Sequence, residues 1–205
     1  MLGGNPSEIL SALDGIVYLA DPQGKIVAYG GQDWAPFAER NGATDLVSPD
    51  RVLGHDLFTF ILGDEVRAFY RKRMDEILNG EERAIVLPTR CDAPHRMREL
   101  RLAMTPFRKG GRIEGILFHS TLLNEEERPP LSLYDFQAIR AHLTKRRPLP
   151  MLSLCSLCQK VRLKGSDHWI TGENYYRAGG PSEVQISHGL CDPCADTHYG
   201  RALGE

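Results

Sequence analysis

Apolar positions fall into short β-like runs near both ends of the first 123 residues and recur at helical spacing between them. I-V-Y-L-A (residues 16–20) and K-I-V-A-Y (residues 25–29) flank the turn sequence D-P-Q-G. Two β-prone runs around an Asp-Pro...Gly turn predict a hairpin, closed by Gly30 and Gly31. Ahead of it, S-E-I-L-S-A-L (residues 7–13) predicts a short helix capped by Ser7, with Ile9, Leu10 and Leu13 on one face. Residues 33–41 have helical tendency, with Pro36 tolerable in the first turn. Trp34 and Phe37, three residues apart, are expected to cover an edge of the core, a trap for aromatic ligands being the alternative. In residues 51–62, Leu53, Leu57, Phe58 and Ile61 approximate a helical stripe interrupted by Gly54. The clearest helix follows: Asp64 and Glu65 open it, Val66, Phe69, Tyr70, Met74, Ile77 and Leu78 recur at 3.6 spacing, and Gly80 stops it.

Three strands are expected next, over residues 83–89, 99–106 and 113–123. Pro88 places the first at a sheet edge or strand end. In the second, Leu100, Leu102 and Met104 alternate with outward-facing Arg101 and Thr105. The whole predicts an α+β domain with an antiparallel sheet and helices on one side. N-E-E-E-R-P-P (residues 124–130) reads as a boundary, and residues 131–143 as a helix with Ser132 as cap, ending in the basic K-R-R-P cluster (residues 145–148). The predicted organisation is an α+β domain over residues 1–123, a linker with a helix over 124–150, and a small module over 151–205.

That module holds the clearest chemistry. Cys155 and Cys158 form one C-x-x-C pair, Cys191 and Cys194 a second, and 32 residues separate them. Each turn brings two thiolates to one side of a bend, and two facing turns supply the four soft ligands of tetrahedral zinc. Residues 152–205 contain few large apolar groups, so a metal would contribute folding free energy that a core this small lacks. We expect one structural zinc per chain, with disulfides or a thiol-redox pair as the competing readings. Lys160, Arg162 and Lys164 could offset the charge of a four-thiolate centre. His188 is expected to support the ligands without joining them, and His168 and His198 to lie on the surface. With four protein ligands, no position is left for an activated water, and no hydrolytic role is expected. Cys91 reads as an ordinary, partly buried thiol, and His119 as a polar residue facing a neighbouring helix.

Composition narrows the function. A formal charge of -2 supplies no global field for nucleic acid or anionic lipid. No run approaches the roughly 20 apolar residues that span a bilayer. The opening M-L-G-G-N-P-S-E has neither a basic start nor a long apolar run, so the expectation is a cytoplasmic protein with no secretory signal. H-E-x-x-H, G-x-S-x-G, phosphate-loop and G-x-G-x-x-G patterns are absent from the sequence, and no enzyme is expected.

Residues 9–123 resemble the PAS family of sensory domains. The likeness rests on D-G-I-V-Y-L-A-D-P-Q-G-K-I-V-A-Y-G (residues 14–30), V-L-G-H-D-L-F-T-F-I (52–61, taken as a helix), R-C-D-A-P-H-R-M-R-E-L-R-L-A-M-T-P-F (90–107) and G-R-I-E-G-I-L-F-H-S-T (111–121). It implies a five-stranded antiparallel sheet, short helices over a pocket that can hold an unidentified ligand or cofactor, and frequent dimerisation. Residues 152–199 resemble a small cysteine module, zinc-ribbon-like, found attached to bacterial PAS or response-regulator domains. Its pattern is C-x-x-C-x-K-x-R, an aromatic middle and S-H-G-x-C-x-x-C, with C-D-P-C here in place of the usual C-P-E-C. The expected function is a sensor or scaffold acting through ligand-modulated protein–protein interaction. A thiol-based redox sensor, or a transcription-associated regulator using the K-R-R-P cluster, are the alternatives.

Overall fold

The computed structural model describes residues 6–135, 139, 149–163 and 165–199. Its contacts divide the chain into two compact units. The first comprises Met1–Ile61, Tyr70–Leu87 and Leu100–Leu123; the second comprises Leu62–Phe69, Pro88–Glu99 and Asn124–Glu205.

A five-stranded sheet is built from β1 (Ile16–Ala20), β2 (Ile26–Gly30), β3 (Ile85–Arg90), β4 (Arg96–Lys109) and β5 (Arg112–Glu127), in the order β2-β1-β5-β4-β3. The hairpin turn works through Asp21, whose carboxylate accepts from the backbone N–H groups of Gln23 and Lys25. β1 then pairs antiparallel with β2 (Val17 opposite Gly30) and with β5 (Val17 opposite His119). Short helices α1 (Pro6–Leu10) and α2 (Trp34–Arg40) and the longer α3 (Asp64–Leu78) complete the α+β, PAS-like arrangement that the sequence predicts. Pro88 lies on an edge strand, where its missing N–H breaks no ladder.

One expectation is corrected. Residues 51–62 do not form a helix. Gly54 turns left-handed at φ 78°, and Asp56 accepts from the Phe58 N–H to cap a 3-10 turn at Leu57–Thr59, so local turn chemistry overrides the apolar stripe. Residues 124–127 form the end of β5, where Glu125 pairs with Arg96 and Arg98, and the second compact unit takes up the chain at Asn124. Of the helix expected over 131–143, Ser132–Tyr134 form a 3-10 turn and Ile139 is α-helical, its N–H donating to the Asp135 carbonyl at 2.9 Å; most of the remainder, like the K-R-R-P cluster, lies outside the described residues.

In the first unit, Val17, Ile26, Leu57, Met74, Ile77, Leu102, Met104, Ile116 and Phe118 are buried. The Tyr18 ring stacks on Phe118 at 4.7 Å, and the Trp34 indole donates to the Leu46 carbonyl at 2.9 Å. A cavity of about 320 Å³ remains, lined by Ile16, Tyr18, Trp34, Phe37, Val52, Leu57 and their neighbours. Trp34 and Phe37, both half-buried, are therefore cavity wall.

The second unit contains a three-stranded sheet of β6 (Met151–Cys155), β7 (Val161–Leu163) and β8 (Gln185–Gly189), in the order β7-β6-β8. β6 runs antiparallel to β7 and parallel to β8. Its core joins Leu152, Leu154, Val161, Tyr175 and Val184 to Leu131, Leu133 and Tyr134, so the first part of the expected linker is interior to this unit.

Candidate metal centre

The two C-x-x-C turns are brought together by the β6–β8 pairing. β6 alternates Leu152 and Leu154 into the core and ends at the fully buried Cys155. The chain then turns through Ser156, Leu157 and Cys158, and Gln159 reverses it so that the Cys155 N–H donates to the Lys160 carbonyl at 2.8 Å. The parallel register sets Cys155 beside Gly189, two residues before Cys191. Helix Asp192–Tyr199 starts there with Pro193 in its first turn, which also carries Cys194. The Ser156 N–H donates to the Gly189 carbonyl at 2.9 Å and stitches one turn to the other.

The four sulfurs of Cys155, Cys158, Cys191 and Cys194 all lie within 4.8 Å of one another, with Cys155 and Cys191 buried and the other two half-buried. Zinc–sulfur bonds of about 2.3 Å in a tetrahedron place sulfurs about 3.8 Å apart, so this donor set fits a metal ion with little movement. The Cys158 and Cys191 sulfurs are 3.5 Å apart, and the Cys191 N–H donates to the Cys155 sulfur at 3.3 Å. A hydrogen bond from the Cys158 thiol, aided by backbone N–H donors, holds the Cys155 thiol down to about 5. The same bond pushes Cys158 well above its ordinary value, and burial together with the charge of Cys155 pushes Cys194 up to about 12. One thiolate forms readily and opposes the next; a divalent cation removes that opposition.

Residues far away in sequence hold the two turns. Glu65, in the first turn of α3, accepts from the Leu190 N–H at 3.1 Å, directly before Cys191. Gly63 lies so close to His188 that an added Cβ would stand 2.3 Å from its carbonyl oxygen. The Arg90 N–H donates to the Leu157 carbonyl at 2.7 Å, and the Tyr134 hydroxyl to the Gln159 carbonyl at 2.8 Å. Behind these lies a buried ionic group: Asp92 takes hydrogen bonds from Arg90, from the Arg98 N–H and from Arg128. Arg128 also reaches Glu173 and the Ala93 carbonyl, and its guanidinium lies 4.3 Å over the Tyr134 ring. Sequence reading assigned none of these residues to the centre. The only signal was the run R-C-D-x-P itself, together with the Asp64-Glu65 opening of α3 that dipole considerations already explain.

Other candidates go elsewhere. Arg162 places its guanidinium 4.7 Å over Trp169, and Lys164 lies outside the described residues. Tyr175 is buried and donates to the Pro181 carbonyl. His188 is half-buried on β8, and burial lowers its pKa; His168 is exposed. Burial pushes the Cys91 thiol up to about 11, so little of it is thiolate at neutral pH. His119 meets the Asp14 carbonyl at 3.0 Å and is not in the cavity lining. No helix among the described residues is long and apolar enough to cross a membrane.

No protein-family model and no curated protein matches this chain. Solved structures similar to it include the PAS domain of Bordetella pertussis BvgS, at 12% identity and a TM-score of 0.43 over 58% of this chain and 83% of that one. VqmA bound to DPO is similar at 16% identity and a TM-score of 0.43, over 57% of this chain and 56% of VqmA. Drosophila melanogaster Cycle PAS-B with bound ethylene glycol is similar at 13% identity and a TM-score of 0.36, over 53% of this chain and 99% of that one.

Proposed function

We propose that this chain is a non-enzymatic sensor or scaffold that acts through protein partners, with one structural zinc held by Cys155, Cys158, Cys191 and Cys194. The single observation that carries the reading is the convergence of four thiols within 4.8 Å. Four sulfur ligands complete a tetrahedral shell, so the ion would organise the fold and leave no open position for water. The sensory part of the reading rests on the PAS-like sheet and on the cavity of about 320 Å³, whose walls suit a small, mostly apolar ligand. α3, β4 and β5 each have residues in both compact units, which makes them the direct route by which a ligand could alter what the cysteine unit presents. The proposed setting is a reducing one, where thiolates persist.

Metal analysis of protein purified without added metal, with an absorbance spectrum of the same sample, tests this reading. About one zinc per chain and no visible band is the expected result. Iron with sulfur-type absorption would replace zinc by a redox cluster, and a haem or flavin spectrum would move the function into the cavity.

The ready ionisation of Cys155 and the 3.5 Å approach of Cys158 to Cys191 favour a second reading, in which oxidation exchanges metal for disulfides. Zinc retained under mild peroxide, with all thiols still titratable, would discard it.

A further inference from the structure

Among the described residues, Gln159 is the non-glycine residue with a left-handed backbone, at φ 61°. Residues bearing a Cβ rarely adopt this conformation, yet here it is needed immediately after Cys158 to reverse the chain. Gln159 is buried, its N–H donates to the Cys155 carbonyl at 2.9 Å, and its carbonyl accepts from Tyr134. Tyr134 is in turn fixed on every side. Its ring is buried under the Arg128 guanidinium, and Gly172 passes so close that an added Cβ would stand 2.8 Å from the Tyr134 hydroxyl. The adjoining N–H groups are also occupied: Leu131 donates to the Pro94 carbonyl at 3.0 Å and Leu133 to the Tyr176 hydroxyl at 3.0 Å.

We propose that Tyr134 is a positioning residue of the metal centre: it locks Gln159 in the left-handed turn, so that metal binding and the seating of residues 128–135 form one equilibrium. This rests on the four-cysteine metal reading and adds its regulation. If the seated segment strengthens metal binding by some factor, the metal must strengthen seating by the same factor. Gain or loss of the ion would thereby control the start of the segment that leads from β5 to β6.

The test uses the full chain, reduced, with Zn²⁺ affinity measured by competition with a chromogenic chelator and Co²⁺ spectra reporting thiolate ligation. The variants are Y134F, Q159G and Y134F/Q159G. Loss of the buried hydroxyl should weaken Zn²⁺ binding about tenfold beside Gln159. Beside glycine, which adopts positive φ freely, the loss should be markedly smaller. In the wild type, stripping the metal should speed amide exchange at residues 131–135 by a similar factor of about ten. Equal losses in both backgrounds, or exchange at 131–135 indifferent to metal, would overturn the lock while leaving the metal site standing. A wild type that gives no thiolate–Co²⁺ bands and does not compete for Zn²⁺ would overturn the metal reading, and the lock with it. The exchange measurement needs no variant, so it decides even if Y134F does not fold.

Discussion

Asp92→Asn isolates the buried ionic group behind the cysteine turns. The Asp92 side chain has no exposed surface, and it accepts from Arg90 Nε and Nη2 at 3.3 and 2.5 Å, from the Arg98 N–H at 3.2 Å and from Arg128 Nη1 at 3.0 Å. Asparagine keeps the shape but removes the charge between two guanidinium groups and turns one acceptor into a donor. Removing one partner of a buried ion pair costs about 3–5 kcal/mol. The lower end, about 3 kcal/mol, applies here, because Arg90 is 21% exposed and Arg128 keeps Glu173 and the Ala93 carbonyl. R96A is the comparison: that arginine is 45% exposed and its pairs with Glu125 and Glu127 should contribute less than about 1 kcal/mol. Trp34 and Trp169 are the two tryptophans, so a W34F background leaves Trp169 to report on the second unit alone. Guanidinium unfolding of the zinc-saturated chain, followed by Trp169 fluorescence, gives the two differences. If D92N shifts stability no more than R96A does, the buried carboxylate is not what holds this unit together.

Further expectations follow from the same packing. Gly63→Ala requires a Cβ at φ 89° and 2.3 Å from the His188 carbonyl oxygen, and should cost at least about 2 kcal/mol by the same fluorescence assay; an unchanged midpoint would show that this approach is not tight. Hydrogen bonding from Arg98, with further help from Arg96, holds the Glu125 carboxyl below its ordinary value. Its stabilisation is therefore complete above the unfolded carboxylate value, about 4.3, and is lost as pH falls through the lower folded value. The deficit of E125Q, about 2 kcal/mol at pH 7, should close as pH drops below about 4; a gap independent of pH would refute the assignment. A fragment of residues 151–205 keeps the four clustered cysteines but lacks Glu65, Arg90, Arg128 and Tyr134. Chelator competition should find its Zn²⁺ affinity at least about tenfold below that of the whole chain, and equal affinity would show that these residues are dispensable.

What could be read from the sequence was whatever is specified by near neighbours. The D-P-Q-G hairpin, the apolar stripe of α3 and the two C-x-x-C turns each combine a period with a local signal, and the structure contains the hairpin, the helix and the converged sulfurs. Charged residues hid the rest. Arg96, Arg98, Glu125 and Glu127 extend β4 and β5 well past the apolar alternation, because each positive side chain finds a negative one across the ladder. In one dimension, N-E-E-E-R-P-P lacks that partner and looks like a linker. The same holds for Leu133 and Tyr134, whose burial depends on Leu152, Val161 and Tyr175. Gln159 carries no sequence mark at all, since turn rules would place glycine at its backbone angle.

The supports of the candidate centre share a chemical feature that explains why side-chain charge was a poor guide to it. Glu65 binds the Leu190 N–H, Arg90 donates its N–H to the Leu157 carbonyl, Tyr134 binds the Gln159 carbonyl and Ser156 donates its N–H to the Gly189 carbonyl. Each acts on backbone next to a cysteine, and none on a sulfur. At Cys155 the thiolate is favoured first by the Cys158 thiol and then by the backbone N–H groups of Cys158, Cys191 and Leu157, and at Cys158 the Lys160 N–H works against the larger causes that raise it. Those N–H groups point at sulfur only while the turns keep their shape, so holding the backbone also sets how readily the four thiols give up their protons to a cation. Two nearby positive side chains are committed elsewhere, Arg162 to Trp169 and Arg128 to Asp92, Glu173 and Tyr134. The acidity of Cys155 thus arises within the two turns, from the Cys158 thiol first and the turn N–H groups next, while α3, the end of β3 and the segment after β5 hold the backbone that aims those groups.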